Sequence, residues 1–349
     1  MNNIQIIKPD DWHVHFREGE LMKLLVPETS KLYNRAIVMP NLINPISNQK
    51  LAIKYKDEIL KFSKNNLDFE PLITFYLTED LPAKELVKAF NENTIFGAKL
   101  YPAGATTNSS RGVKNISKIF NLLEIMSNYK IPLLIHGEVN DEKVDVFDRE
   151  KVFIDNVLIQ IIDKFPNLKI TLEHITTKHA VDFINNASNN VKASITPHHL
   201  ILNRTDMLAH RIKPHYYCLP ILKREDDRNA LLKAAFNENN KFFMGTDSAP
   251  HELHSKESAC GCAGVFNTIN SIQIVTQLFE NYNKIHLLEN FLSINGSLHY
   301  KLPINSQKIN LVKQETPIDF PEFLNGKNFK IKIFKPNFKV YWQIIGEAN

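Results

Sequence analysis

The segment DDWHVHFREG, residues 10–19, places His13, His15 and Arg17 at two-residue intervals. Successive side chains leave a β-strand on opposite faces. The spacing therefore predicts a strand with both imidazoles and the guanidinium on one side and Trp12, Val14 and Phe16 on the other. Two neutral imidazoles about 6.5 Å apart along a strand face can converge on one metal ion, each ring nitrogen about 2.0–2.1 Å from it. Further along, Lys99 ends GAK, His136 ends PLLIH, His174 ends KITLEH and Asp247 ends FFMGTD. Each alone has an ordinary explanation: a hydrogen-bonded histidine, a lysine reaching solvent along its aliphatic stem, an aspartate capping a turn. Four histidines, a lysine and an aspartate, all at the ends of apolar runs, together form a metal-ligand set. Six such groups exceed the needs of one tetrahedral zinc and suit two ions with a hydroxide held between them. Lysine is the odd member, because an ammonium repels cations and is costly to bury. Its charge must be removed or reversed.

The elements that would carry these residues repeat. After the opening strand come AIVMP near residue 36, LITFYL near 72, GAKLY near 97, PLLIHG near 132, KITLEHI near 169, ASITP near 193 and FFMGTDS near 242. Between them lie segments such as QKLAIKYKDEILKFS, NISKIFNLLEIMSNY, REKVFIDNVLIQIIDKF and EDDRNALLKAAFNE, with apolar residues at three- and four-residue spacing. Eight strands alternating with helices predict an α/β fold, a (β/α)8 TIM barrel, whose active sites sit at the C-terminal ends of the strands. The candidate ligands fall at those ends. An open doubly wound sheet is the alternative, but no glycine-rich phosphate loop follows the first strand. The longer connection before the eighth strand contains RIKPHYYCLPILKR, and its apolar and aromatic content argues against disorder. We expect a single domain over residues 1–349, with a barrel core at about 10–300 and a short C-terminal extension at about 301–349 packed on it.

The chain has 349 residues, 43% of them hydrophobic, and a formal net charge of +4. Its lysines are scattered, so the concentrated basic patch of a nucleic-acid binder is not expected. The segment MNNIQIIKPDD lacks a signal-peptide pattern and no run approaches a membrane span, which predicts a cytoplasmic protein with no membrane partner. Cys218, Cys260 and Cys262 are too few and too clustered for a disulfide framework. CGC lacks the second cysteine pair of a zinc site, and free thiols in a tight loop are expected.

These motifs, with RAIVMPNL, AKLYPAGATTNSS, FDRE, EHITTK, SITPHHL, YYCLPILKR, GTDSAPH and KESACGCAG, resemble the amidohydrolase superfamily and, within it, the bacterial single-domain dihydroorotases. The resemblance runs from residue 10 to about 267 and is less distinct in the C-terminal extension. It implies two Zn2+ per subunit in a barrel, bridged by hydroxide and by Lys99 carboxylated to N6-carboxylysine, which answers the charge objection. His13, His15 and Asp247 would hold one zinc, and His136 with His174 the other. The reaction implied is the reversible cyclisation of N-carbamoyl-L-aspartate to L-dihydroorotate in de novo pyrimidine (UMP) biosynthesis, with Asp247 as general base and then acid. Arg17, Asn41 and His251 would bind the substrate carboxylate, backbone groups at Leu219 and Ala263 the pyrimidine edge. Thr106 and Thr107 would reach the substrate from a mobile loop, in a homodimer. This chain carries Gly104 where those relatives carry asparagine, a change expected to alter loop geometry. Rival readings are a hydantoinase, dihydropyrimidinase or allantoinase, or a catalytically dead scaffold for a partner such as aspartate transcarbamoylase. Arg17 opposes the first two, because an uncharged ring leaves the guanidinium without a partner.

Overall fold

The computed structural model describes residues 2–63, 65–66 and 68–348. After β1 (Asn3–Ile7) come β2 (Asp11–Val14), β3 (Arg35–Val38), β4 (Glu70–Tyr76), β5 (Gly97–Leu100), β6 (Leu133–His136), β7 (Ile170–Glu173), β8 (Val191–Ile195) and β9 (Phe242–Met244). Strands β2 to β9 form an eight-stranded sheet in chain order, each pair parallel. Just beyond β9, Asp247 N donates to His13 O at 2.9 Å and Ser248 bridges Val14, which brings the last strand back to the first. This is a (β/α)8 barrel, and every expected strand lies where its apolar run placed it. The helices form for local reasons. In Gln49–Phe62, Asn48 accepts a hydrogen bond from Leu51 N, and Ala52, Tyr55 and Ile59 bury one stripe at three- and four-residue spacing.

The opening alternation needs correction. Asp11 pairs with Ala36 and Val14 with Val38, so Trp12 and His13 together oppose the single residue Ile37. This bulge turns Trp12 inward with His13, where it packs in one buried cluster with Ile37, Leu72, Leu134, Phe243 and Tyr300. The strand also stops at Val14, and Arg17 has a φ of +57°. A left-handed turn, rather than continued alternation, brings Arg17 to the rim.

The chain ends meet in a second sheet. β1 pairs antiparallel with β10 (Lys308–Lys313), which also pairs with the terminal strand (Trp342–Ala348). The N-terminal residues thus complete the sheet of the C-terminal segment. Apolar packing separates into the large layer between barrel and helices and the small cluster plugging the barrel floor.

Candidate active site

Three of the expected ligands converge most tightly where β9 returns to β2. His13 Nε2 lies 3.2 Å from His15 Nε2 and 3.2 Å from Asp247 Oδ1, and His15 Nε2 lies 3.1 Å from Asp247 Oδ1. Zinc bonds of 2.0–2.1 Å directed tetrahedrally would separate ligand atoms by roughly 3.3 Å, so this triangle fits one face of such a site. His174 extends the cluster: its ring centroid is 5.0 Å from that of His13 and 4.9 Å from that of His136. His174 Nδ1 is buried with no protein partner among the described residues, a lone donor atom suited to a metal. His174 and Asp247 have φ of +43° and +44°, a left-handed conformation uncommon for non-glycine residues. Because Glu173 and His174 are consecutive, alternation alone would send them to opposite faces. The turn at His174 keeps both at the rim.

Burial governs the charge states. It drives His15 down to about 4, against the opposing hydrogen bond to Asp247, and holds His174 well below the usual imidazole range, with Lys99 adding to the effect. Both rings are neutral near pH 7, the state a metal ligand requires. Burial also lowers His13, but Glu173 and Asp247 outweigh it and raise the ring to about 9. Burial works against the Asp247 carboxylate, yet His13 and its neighbours keep it below its ordinary range.

Lys99, fully buried, pairs with Glu173, whose other carboxylate oxygen stands 3.0 Å from His13 Nδ1. Burial pushes the Lys99 ammonium down, which favours the neutral amine. Glu173 is a residue that strand-end reasoning passed over. So is Glu138, whose Oε2 is 2.9 Å from His136 Nε2. A third is Asp11, which accepts from His13 N, Thr246 N and Thr246 Oγ1. All three orient ligands or their backbone, as partners behind a metal shell do. Their only sequence signal is adjacency to a ligand.

The substrate-binding candidates lie beside this rim. Arg17 Nε donates to Pro250 O at 3.3 Å, and Tyr55 Oη donates to Arg17 O at 3.1 Å. Arg17 Nη2 is 3.2 Å from His251 Nε2, which is itself 2.9 Å from Ala263 O. Because Ala263 O can only accept, His251 Nε2 carries the hydrogen and offers the Arg17 Nη2 hydrogens no acceptor. Leu219 is half-buried and precedes Pro220 through a cis peptide. Asn41 Nδ2 donates to Thr107 O at 3.0 Å and Asn108 Nδ2 to Asn41 O at 3.0 Å, so the loop bearing Thr106 and Thr107 rests folded against a substrate-binding candidate. Asn41 Oδ1 remains buried and unpartnered among the described residues. Gly104 has a φ of +76°, and a Cβ there would stand 2.5 Å from Asn140 Nδ2, which donates to Ala103 O. Glycine here therefore makes room for a specific tether as well as supplying backbone freedom.

A separate buried group, His198, His199 and Cys218, gathers metal-type side chains. Its hydrogen bonds assign it another role. His199 Nε2 faces Pro220 O at 2.9 Å and its Nδ1 faces Thr196 Oγ1 at 2.7 Å, so both ring nitrogens are occupied, the first in holding the loop that carries Leu219.

A model of the amidohydrolase family matches residues 6–310. The dihydroorotase of Ruegeria sp. (strain TM1040) is 45% identical over 342 residues, 98% of this chain and 99% of the relative. Among solved structures, the dihydroorotase of Saccharomyces cerevisiae in complex with 5-fluoroorotic acid superposes with a TM-score of 0.90 at 32% identity, covering 99% of both chains. The dihydroorotase of Campylobacter jejuni superposes at 0.89 and 35% identity, covering 98% of this chain and 97% of that one. The chain belongs to the amidohydrolase family and, within it, to the dihydroorotases, hydrolases that act on a cyclic amide.

Proposed function

We propose that this chain interconverts N-carbamoyl-L-aspartate and L-dihydroorotate in pyrimidine biosynthesis. The observation that carries the reading is a metal-shaped donor triangle, His13, His15 and Asp247, on the same rim as an arginine with uncommitted donors. His13, His15 and Asp247 would hold one zinc, His136 and His174 a second, and Lys99, as its carbamate, would serve both. Bound zinc supplies a Lewis acid for the ring carbonyl and an acidified water.

The remaining work falls to the chain's own groups. In hydrolysis the ring C–N bond breaks, the carbonyl carbon gains hydroxyl and the nitrogen gains hydrogen. Asp247 accepts the proton from the attacking water and delivers it to the departing nitrogen, acting first as base and then as acid. Arg17 offers a fork of N–H donors that matches the substrate carboxylate, with Asn41 and His251 beside it. Backbone groups at Leu219 and Ala263 meet the ring edge. Thr106 and Thr107 contact the substrate as their loop closes and excludes water. Burial of Lys99 supports carboxylation, because only a neutral amine attacks carbon dioxide. The same reading includes a single-domain cytoplasmic homodimer acting on a small molecule, with no nucleic-acid or membrane partner. Among the described residues no helix is long and apolar enough to cross a membrane.

The test pairs elemental analysis with the ultraviolet absorbance change on adding L-dihydroorotate. The expected result is about two zinc ions per chain and turnover. Preference for hydantoin, dihydrouracil or allantoin would transfer the chain to another cyclic amidohydrolase, and absence of both metal and turnover would leave a scaffold.

A further inference from the structure

Lys256, at the end of the short helix Leu253–Lys256, is 3% exposed. Its ammonium donates to Tyr217 O at 2.8 Å, Cys262 O at 2.7 Å and Gly264 O at 2.8 Å. A lysine has three N–H donors, and all three are directed at main-chain carbonyls of two loops that come from different parts of the chain. Among the described residues no carboxylate lies within ion-pair distance of it. Burying an ammonium without a counter-charge is costly, and a neutral side chain could fill the same volume. The arrangement makes sense where the charge is used to aim dipoles.

The peptides it aims adjoin the two backbone positions assigned to the ring edge. Tyr217 lies two residues before Leu219, and Cys262 and Gly264 flank Ala263. In a planar trans peptide the C=O of one residue and the N–H of the next point in opposite directions. With Cys262 O directed at Lys256, the N–H of Ala263 is turned the other way, and it has no acceptor among the described residues. Ala263 O is meanwhile engaged by His251. Gly264 N donates to Tyr217 O at 2.9 Å, joining the loops a second time. The same segment runs tight against Ala249, where a Cβ on Gly264 would stand 2.2 Å from Ala249 O.

We propose that Lys256 is a positioning residue for substrate recognition, clamping the Tyr217–Leu219 and Cys262–Gly264 segments so that the backbone of Leu219 and Ala263 presents fixed partners to the pyrimidine edge. It does not touch the substrate. The proposal rests on the dihydroorotase reading, and the wild-type enzyme separates the two: if it fails to turn over L-dihydroorotate, that reading fails first.

With an active wild type, the Lys256→Met enzyme should show KM for L-dihydroorotate raised about tenfold or more, the scale of one charge-assisted hydrogen bond, with kcat within about threefold and zinc content unchanged. Lys256→Arg, which keeps the cation and several donors, should recover part of the affinity. In Lys256→Ala, added ethylammonium should lower KM toward the wild-type value by refilling the ammonium position. Unchanged KM in Lys256→Met would overturn the proposal, as would a parallel fall in kcat and zinc content. If Lys256→Met does not fold, the neutral but polar Lys256→Gln carries the test: KM equal to wild type with a lowered unfolding midpoint would reduce Lys256 to a purely structural tie.

Discussion

The floor and the rim of this barrel are built from the same strands, often two residues apart, and share almost no chemistry. Leu134 lies in the floor cluster while His136 is at the rim, and Phe243 lies in the floor while Asp247 follows at the rim. At the floor, Trp12 meets Phe243 at 6.2 Å and Tyr300 at 5.0 Å between centroids, and Thr171 Oγ1 bonds Tyr300 Oη at 2.7 Å. Those contacts are ordinary aromatic and aliphatic packing; Thr171 satisfies the Tyr300 hydroxyl, while Trp12 Nε1 is the one floor nitrogen with no partner among the described residues. At the rim, unpaired nitrogens, a buried ion pair and left-handed backbone at Arg17, His174 and Asp247 concentrate within one cluster. The difference teaches that strand alternation selects which residues face inward, while height along the strand selects what they do. The floor supplies stability that the strained rim draws on.

Substitutions should separate the two. Asp247→Asn should lower kcat by about 10³-fold, within the usual range for removing a general acid–base group, while leaving the unfolding midpoint near wild type; steady-state kinetics with urea melts checks both. Activity retained in that variant would remove Asp247 from proton transfer. Lys99→Ala should likewise lose activity and most of one metal, with partial rescue by a small added carboxylate, read by elemental analysis. Phe243→Ala at the floor should do the reverse, destabilising by about 3–5 kcal/mol with zinc content and kcat per folded molecule maintained. Arg17→Met should raise KM by about 10- to 100-fold, as expected when charged hydrogen bonds to a carboxylate are deleted, with both metals present. Zinc loss in Arg17→Met would mean the residue belongs to the metal site.

The last effect shows only at acid pH and concerns the histidine loop behind the rim. Burial lowers His199 to about 4 from an ordinary value of 6.5, the hydrogen bond to Pro220 O opposing only in part. Between those values the unfolded chain takes up a proton that the folded one refuses. Stability is therefore whole above pH 6.5 and falls as the pH drops toward 4, by on the order of 3 kcal/mol for the full shift. His199→Gln should flatten that part of the stability profile by up to one proton, measured by urea unfolding from pH 7 to 4. An unchanged slope would place the acid sensitivity elsewhere.

Much of this molecule was legible in its residues. All eight barrel strands and the helices between them follow from local apolar periodicity, and the six expected ligands sit at strand ends or just beyond. The illegible part is consistent in kind. A one-residue bulge moved Trp12 from the expected outer layer to the barrel floor. The N-terminal strand found its partner about three hundred residues away, with Asn3 opposite Val312. Gly104 read as loosened backbone, and only the position of Asn140 gave it a steric purpose.

Residue type and order by themselves determined the barrel, its candidate ligand set and the cation beside it, because periodicity and strand ends are properties of neighbouring residues. Only the tertiary structure decided that Glu173 pairs with Lys99 across 74 residues, that His251 hands its hydrogen to Ala263, and that Lys256 gathers two loops. Those choices depend on distance and direction between groups far apart in the chain. Distance and direction of that kind exist only once the barrel has closed.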